Sequence, residues 1–227
     1  MSIHSKILVH WTGKKDIEKE PENRKAQLYV RRLKDYYQNG LFLKRTEEAV
    51  LRGLKIKNLL RLCFTEIRLS QAQIHAKNYG KLGIGFTRDF IMNRGGRPVI
   101  YIPFEAAERL LENSLNETYG KSRGNEEIHR PLKWVLAFVK RMSNEHSEEH
   151  YDEMEWRIVH DENPNVEYFT KDKEDSVYRF RFAAGDVKVI VFPNEETKQI
   201  AFNEETLKEF FYQHMPVLFT LEDCKNF

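Results

Sequence analysis

The chain opens with a short apolar run, ILVHW, which ends at Trp11 and is typical of a buried strand. From Asp16 to Gln38, apolar residues recur at spacings of three and four, and Asn39-Gly40 follows as a helix stop. This pattern predicts a long amphipathic helix, followed by a short strand over 41–43. A second helix is predicted from Thr46, because two glutamates occupy what would be its first turn.

The middle of the chain changes period three times between Cys63 and Pro103. It predicts a strand over 59–64, a helix over 71–78 capped by Ser70, a glycine-rich strand over 82–86 and a strand over 99–102. Glycine within a strand marks a bulge or a close approach by another backbone or a ligand, and the alternative is tight packing against a helix. Two strands joined by compact glycine turns also predict the wall of a site.

The last half mixes helices and strands without strict alternation. Helices are predicted over 104–117, 131–142, 195–201 and 204–213, with a mobile loop over 118–127; strands are predicted over 154–159, 177–182, 187–192 and 217–221. Gly185-Asp186 predicts a hairpin between the strands on either side of it. The whole pattern favours an α+β fold in one domain over 1–227, with a mostly antiparallel or mixed sheet flanked by helices.

Composition narrows the class of protein. Hydrophobic residues make up 41% of the 227 residues and charged residues 32%, which excludes a wholly disordered chain. The formal net charge is +2, so no strong overall field attracts nucleic acid or membrane. The sequence has neither a signal peptide nor an apolar run of membrane-spanning length, and its two cysteines are far apart. These features predict a cytoplasmic protein without a membrane anchor.

Several motifs in the middle stretch occur in a recognisable order. CFTE, a helix containing His75, YGKLGIGF and PVIYIP follow one another between residues 63 and 103. Together they resemble the AbiGi family of bacterial abortive-infection proteins, a phage-defence group. The resemblance implies a role in anti-phage defence. It also implies a cognate defence protein or a phage component as partner, because the family carries an antitoxin label.

Three functional side chains stand at strand borders. His10, Tyr79 and Glu155 occur in the chain order of the histidine-tyrosine-glutamate class of ADP-ribosyltransferases, which they resemble. That resemblance implies that NAD is a substrate, that His10 and Thr12 bind it, that Tyr79 stacks on nicotinamide and that Glu155 is catalytic. A carboxylate beside developing positive charge stabilises a transition state more than a neutral ground state. The fold would then be ADP-ribosyltransferase-like.

The match to that class is incomplete. Tyr101 is an alternative to Tyr79 as the residue that contacts the cofactor. Glu153 and Glu155 lie two apart and also resemble the E-x-E element of arginine-modifying transferases, although those carry an arginine where this chain has His10. Without any catalytic role, the two glutamates would simply pair across strands with arginines such as Arg157, Arg179 or Arg181.

Other kinds of site receive less support from the sequence. No paired cysteines or HExxH spacing accompany the histidines, so no metal is expected. Basic residues on the long helix, interleaved with Tyr29 and Tyr36, could contact nucleic acid, but acidic residues dilute them. Three functional classes therefore remain: an NAD-using transferase, a non-catalytic antitoxin or partner-binding component, and a nucleic-acid-binding regulator. The oligomeric state is not predicted.

Overall fold

The computed structural model describes residues 6–51, 54–66, 68–102, 109–141, 154–160, 166–171 and 177–226. The helices are α1 (Glu22–Asn39), α2 (Ala72–Tyr79), α3 (Arg88–Asn93), α4 (Arg109–Ser122), α5 (Glu126–Leu136), α6 (Glu195–Asn203) and α7 (Glu205–His214). The strands are β1 (Ile7–Thr12), β2 (Leu41–Phe42), β3 (Lys44–Leu51), β4 (Leu54–Thr65), β5 (Leu82–Thr87), β6 (Arg97–Pro98), β7 (Ile100–Ile102), β8 (Val139–Arg141), β9 (Glu155–His160), β10 (Phe169–Lys171), β11 (Tyr178–Phe180), β12 (Val187–Phe192) and β13 (Val217–Thr220).

The large sheet has the strand order β13-β12-β5-β1-β4-β9-β6, with β3 also paired to β4. Its pairs are antiparallel except for β12 and β13, which are parallel. Two smaller sheets contain β10-β11-β2 and β7-β8. The predicted α+β class with a mixed, mostly antiparallel sheet is confirmed.

Strand β4 is unusually long, and the strands on one of its edges separate. Near its end, β4 pairs with β1 through Val9 and Thr65. Nearer its start it pairs with β3, up to the register of Lys44 with Arg61. Between these two pairings, residues 62–64 of β4 have no ladder partner on that edge among the described residues. The sheet is therefore split between β1 and β4.

Three apolar clusters hold the sheet. The largest packs α1, α6 and α7 against one face, with Leu8, Phe64, Phe86 and Ile190 fully buried in it. A second joins the β3–β4 hairpin to α4, α5 and β8, and a third lies under α2 and the C-terminal turn. Strand β9 is buried along its whole length. The split in the sheet therefore opens inside a well-packed framework, which fixes the positions of its walls.

Several local predictions are wrong, including the end of the helix predicted over 131–142, where residues 139–141 form β8. The segment from Thr46 is strand β3 and not a helix, because it finds a partner along β4 that its own sequence does not reveal. Most of the loop predicted over 118–127 is helical, since α4 runs to Ser122 and α5 begins at Glu126. The hairpin predicted across Gly185 does not form, because β11 pairs with β10 and β2 whereas β12 joins the large sheet.

The two glycines of β5 allow neighbouring side chains to pack closely against this strand. A Cβ atom on Gly83 would lie 2.9 Å from the Trp11 ring, and one on Gly85 would lie 2.9 Å from Ile7. These glycines are therefore in close contact with side chains of the neighbouring strands, and not with a helix as the packing alternative expected. Gly80 differs, because its φ is +116° and a Cβ atom there would lie 2.1 Å from the Thr12 carbonyl oxygen.

We expect Gly80→Ala to lower the free energy of unfolding by about 2 kcal/mol or more, through backbone strain together with the clash. Gly120→Ala is the control, because Gly120 lies inside α4 with nothing within 4 Å of the added methyl group. That control should be more stable than the wild type by about 0.5–1 kcal/mol. Urea unfolding measures both changes, and equal effects at the two positions would contradict the close approach at Gly80.

Candidate functional site

A cavity of about 400 Å³ lies at the split in the sheet. Its walls come from β1, β4, β8, β9, the loop before α1, and the end of α2. The lining side chains used below are His10, Lys15, Phe42, Lys44, Arg61, Cys63, Tyr79, Lys140, Glu155 and Arg157. The structure thus brings His10, Tyr79 and Glu155 together on one cavity, although they are far apart in the chain.

His10 bridges the split with its side chain. Its Nδ1 donates a hydrogen bond to the Cys63 carbonyl oxygen at 2.9 Å, at a point where β1 and β4 share no ladder bond. The ring packs against Tyr36 and Phe64. Burial lowers the pKa of His10 to about 4, helped by nearby Lys44 and Arg32 and opposed by the bond to Cys63. The ring is therefore neutral at pH 7, with Nδ1 protonated and Nε2 left as a hydrogen-bond acceptor.

Glu155 is held in a buried ion pair. Its carboxylate accepts from Arg157 Nε at 2.7 Å and from Lys140 Nζ at 3.3 Å. Burial alone would raise the pKa of Glu155, but the charge and hydrogen bonds of Arg157 outweigh it and hold the pKa at about 2. Glu155 does pair with Arg157, but within one strand at a spacing of two residues and not across strands as predicted, whereas Arg179 pairs with Asp35.

Arg157 anchors this pair to the rest of the protein. Its side chain is only 1% exposed, and Nη1 donates to the Ala137 carbonyl oxygen at 2.8 Å. That contact ties β9 to the end of α5. Removing the Glu155 charge would leave a buried guanidinium beside Lys140 without its carboxylate, which is costly in a protein interior.

Cys63 stands opposite Arg157 in the β4–β9 ladder. Its side chain is exposed and lines the cavity. The protein walls of the cavity around the thiol raise its pKa, and the Glu155 carboxylate adds to the effect. The thiol is therefore protonated at neutral pH, so it is a hydrogen-bond donor to Glu155 and a poor nucleophile.

The other predicted site residues occupy different positions. Tyr79 is 37% exposed at the cavity, and its ring stacks on His75 with 6.1 Å between centroids. Thr12 is buried away from this wall, where its hydroxyl bonds to the hydroxyl of Tyr36 at 3.1 Å. The Tyr101 hydroxyl accepts from the Glu155 backbone nitrogen at 3.2 Å, behind the cavity. Glu153 lies outside the described residues.

The sequence does not reveal that one wall of this cavity is basic. Among its described lining residues, Lys15, Lys44, Arg61, Lys140 and Arg157 are basic, and Glu155 is acidic. Since Arg61 and Cys63 alternate with core residues of β4, and Glu155 and Arg157 do so in β9, their side chains share one face of the sheet. Period-two alternation was the available signal, but it does not reveal which strands become neighbours.

The structure gives little support to a metal site or to a nucleic-acid surface on α1. Among the described residues, no group of three or more histidine, cysteine or acidic residues could hold a metal ion. On α1, Lys25 pairs with Glu22, Arg32 with Asp16, and Lys34 with Glu204. The interleaved tyrosines at 29 and 36 are buried. This helix surface is therefore largely neutralised by its own acidic neighbours.

Comparison with known proteins identifies the family. Residues 38–193 match the family model described as "Putative abortive phage resistance protein AbiGi, antitoxin". The chain belongs to the AbiGi family. No curated protein and no solved structure matches it significantly. The part of this AbiGi protein that matches includes Tyr79 and Glu155 but begins after His10.

The likeness to ADP-ribosyltransferases therefore still rests on the sequence pattern. For the membrane, the described part of this AbiGi protein contains no helix that combines the length and the apolar character needed to cross a bilayer.

The Glu155 ion pair predicts how the free energy of unfolding changes at low pH. Its pKa is lowered from 4.5 to about 2, so the stabilisation is present above pH 4.5 and is lost as the pH falls toward 2. We expect Glu155→Gln to lower the free energy of unfolding at pH 7 by about 3 kcal/mol and to remove this part of the acid dependence. Glu196→Gln, on the exposed first turn of α6, is the control. Urea unfolding at pH 7, 5 and 3 tests this, and equal stability of Glu155→Gln and wild type would contradict it.

Proposed function

We propose that this AbiGi protein is the antitoxin of an abortive phage-defence pair and that it binds and restrains a cognate toxin protein. The observation that carries the proposal is the match over residues 38–193 to a family described as an antitoxin. An antitoxin that acts on a protein needs a surface for it, and such surfaces expose apolar side chains that are buried on binding.

Helix α5 offers such a surface within the matched part of the chain. Ile128, Pro131 and Val135 lie at spacings of three and four, so they share one helix face. Ile128 is 54% exposed and Val135 is 58% exposed, whereas Leu136 on the opposite side is fully buried in the second apolar cluster. Leu110 and Leu111 of α4 are exposed as well. We place the toxin contact on this α5 face.

Co-expression with the proposed cognate toxin tests the proposal. The wild type should restore growth and should co-purify with the toxin as a complex of defined stoichiometry. The double variant Ile128→Glu/Val135→Glu should weaken binding at least tenfold, because two charges would be buried in an apolar contact. Tyr212→Glu is the control, since Tyr212 is 70% exposed on α7 outside the matched range.

Two outcomes would count against this role. Failure of the wild-type protein to rescue growth would reject the antitoxin function. Rescue by the α5 double variant at wild-type strength, with the variant shown to be folded by circular dichroism, would reject the α5 face as the contact while leaving the antitoxin function in place.

A second candidate function is NAD-using ADP-ribosyl transfer. The observation that favours it is that His10, Tyr79 and Glu155 line one cavity. Neutral His10 can accept a hydrogen bond from a ribose hydroxyl through Nε2, and the exposed Tyr79 ring can stack on nicotinamide. Glu155 would stabilise the positive charge that develops on the ribose as nicotinamide leaves.

The environment of Glu155 weakens this second candidate. A carboxylate that already pairs with Arg157 and Lys140 exerts a reduced field on a nearby cationic transition state. The ion pair by itself gives Glu155 a structural role, and this explanation needs no reaction. The antitoxin function is therefore better supported than the transferase reaction.

Nicotinamide release from NAD by the purified protein tests the second candidate. If the transferase proposal is right, the wild type should release nicotinamide, and Tyr79→Ala should lower the rate at least tenfold, since stacking of a base on an aromatic side chain contributes about 1–3 kcal/mol. Tyr212→Ala, which removes an exposed tyrosine far along the chain, is the control. Absence of nicotinamide release by folded wild-type protein, with or without the toxin, would reject the transferase function.

A further inference from the structure

His10 presents an unused hydrogen-bond acceptor to the cavity at the split in the sheet. Its Nδ1 is the protonated nitrogen, because it bonds to the Cys63 carbonyl oxygen and a carbonyl oxygen can only accept. Nε2 is therefore a lone-pair acceptor. Within the described part of the chain, the bond to Cys63 is the only hydrogen bond of the His10 side chain. His10 lines the cavity and is only 8% exposed, and an acceptor without a donor is costly in so buried a side chain.

The His10 ring is also held in a fixed orientation. Its Nδ1 is tied to β4 through Cys63, and the ring packs between Tyr36 and Phe64 with centroid distances of 6.1 and 6.0 Å. Both neighbours are buried. Nε2 therefore needs no rearrangement to meet a ligand, and such preorganisation favours binding.

The charges near His10 select an uncharged donor. Burial lowers the pKa of His10 most, and the charges of Lys44 and Arg32 lower it further. An ammonium group at Nε2 would be repelled by the same two cations. An anion would bring an acceptor to an acceptor, so it gains nothing from Nε2. A hydroxyl group fits this position, because it donates without carrying charge.

The aromatic lining of the cavity fits a flat ring. Tyr79 is 37% exposed there, and its ring stacks on the buried ring of His75, which does not line the cavity. A ligand ring placed on Tyr79 would extend that stack into the cavity. Phe42 and Trp11 also line the cavity, and its volume of about 400 Å³ lies in the range of small-molecule sites. A flat ring and hydroxyl donors occur together in nucleosides.

We propose that this cavity binds an uncharged nucleoside, with the base stacked on Tyr79 and a hydroxyl of the ribose ring donating to Nε2 of His10. The cavity is that of the second candidate function, but nucleoside binding needs no transfer reaction. It is also separate from the α5 face, since Ile128 and Val135 do not line it.

Calorimetric titration with adenosine tests the site, because adenosine carries a base and a ribose but neither phosphate nor nicotinamide. We expect the wild type to bind adenosine with a dissociation constant on the order of 100 µM. The affinity should not change with salt concentration, since the ligand is uncharged. The analogue 2′,3′-dideoxyadenosine should bind about fivefold more weakly, because it lacks the hydroxyl that donates to His10.

Two substitutions separate the two nitrogens of His10. In His10→Asn the amide can still donate to the Cys63 carbonyl oxygen, but no atom remains at the position of Nε2. This variant should bind adenosine about fivefold more weakly than the wild type and should no longer distinguish it from the dideoxy analogue. In His10→Gln the amide oxygen reaches the Nε2 position, so this variant should keep most of the affinity.

Tyr79 is tested in the same titration. Tyr79→Ala should weaken adenosine binding about tenfold, because stacking of the base is lost. Tyr79→Phe is the matched control and should bind as the wild type does, since only the ring is needed. Circular dichroism checks that each variant is folded.

Several results would overturn the nucleoside site. One is the absence of adenosine binding by folded wild type at millimolar concentration. Equal affinities of the wild type for adenosine and its dideoxy analogue would reject the hydroxyl contact, even if the His10 variants do not fold. Equal binding by Tyr79→Ala and Tyr79→Phe would reject the stacking contact. AMP binding about tenfold more tightly than adenosine would reject an uncharged ligand. Adenosine binding by a protein that releases no nicotinamide from NAD would support the nucleoside site and reject only the transferase reaction.

Discussion

The pairing of β4 with three different strands is the constraint on which the rest of this structure depends. One edge of β4 is shared between β3 and β1, and a short stretch between them is paired with neither. The other edge is held by β9 over six consecutive residue pairs. Because β9 is fully buried and β4 is continuous, the gap cannot close without breaking that ladder. The cavity is therefore a property of the topology.

Polar groups in the gap compensate for the missing ladder. His10 donates to the Cys63 carbonyl oxygen, and the Trp11 indole donates to Thr65 at 3.0 Å. Backbone groups buried without a partner are costly, so His10 does for the Cys63 carbonyl what a neighbouring strand would otherwise do, whereas the Trp11 bond joins two side chains across the gap. The hydrogen bond from His10 to the Cys63 carbonyl oxygen also fixes the His10 tautomer. One interaction thus stabilises the split sheet and determines which ring nitrogen can meet a ligand.

The sequence revealed the parts of this site that lie at strand ends, and not the parts that depend on strand order. His10, Tyr79 and Glu155 are predicted from their positions at element borders. The sequence also names Arg157 as one partner for Glu155, but it predicts a pair across strands where the structure has one within β9. Lys44 and Arg61 meet only because β3 folds back on β4. The residues from Thr46 onward satisfy a helical spacing as well as a strand pattern, and only long-range pairing decides between them. Because the segment from Thr46 is predicted as a helix, the sequence does not place Lys44 and Arg61 together in the wall of the cavity.

The ion pair of Glu155 limits what this carboxylate could contribute to the proposed transferase reaction. A carboxylate stabilises a developing cation only as far as its own charge is not already neutralised, and Arg157 and Lys140 pair with Glu155. Transfer in this cavity would therefore need a ligand that draws Arg157 or Lys140 away from Glu155. Without such a ligand, Glu155 is the counter-ion of Arg157 and its role is structural.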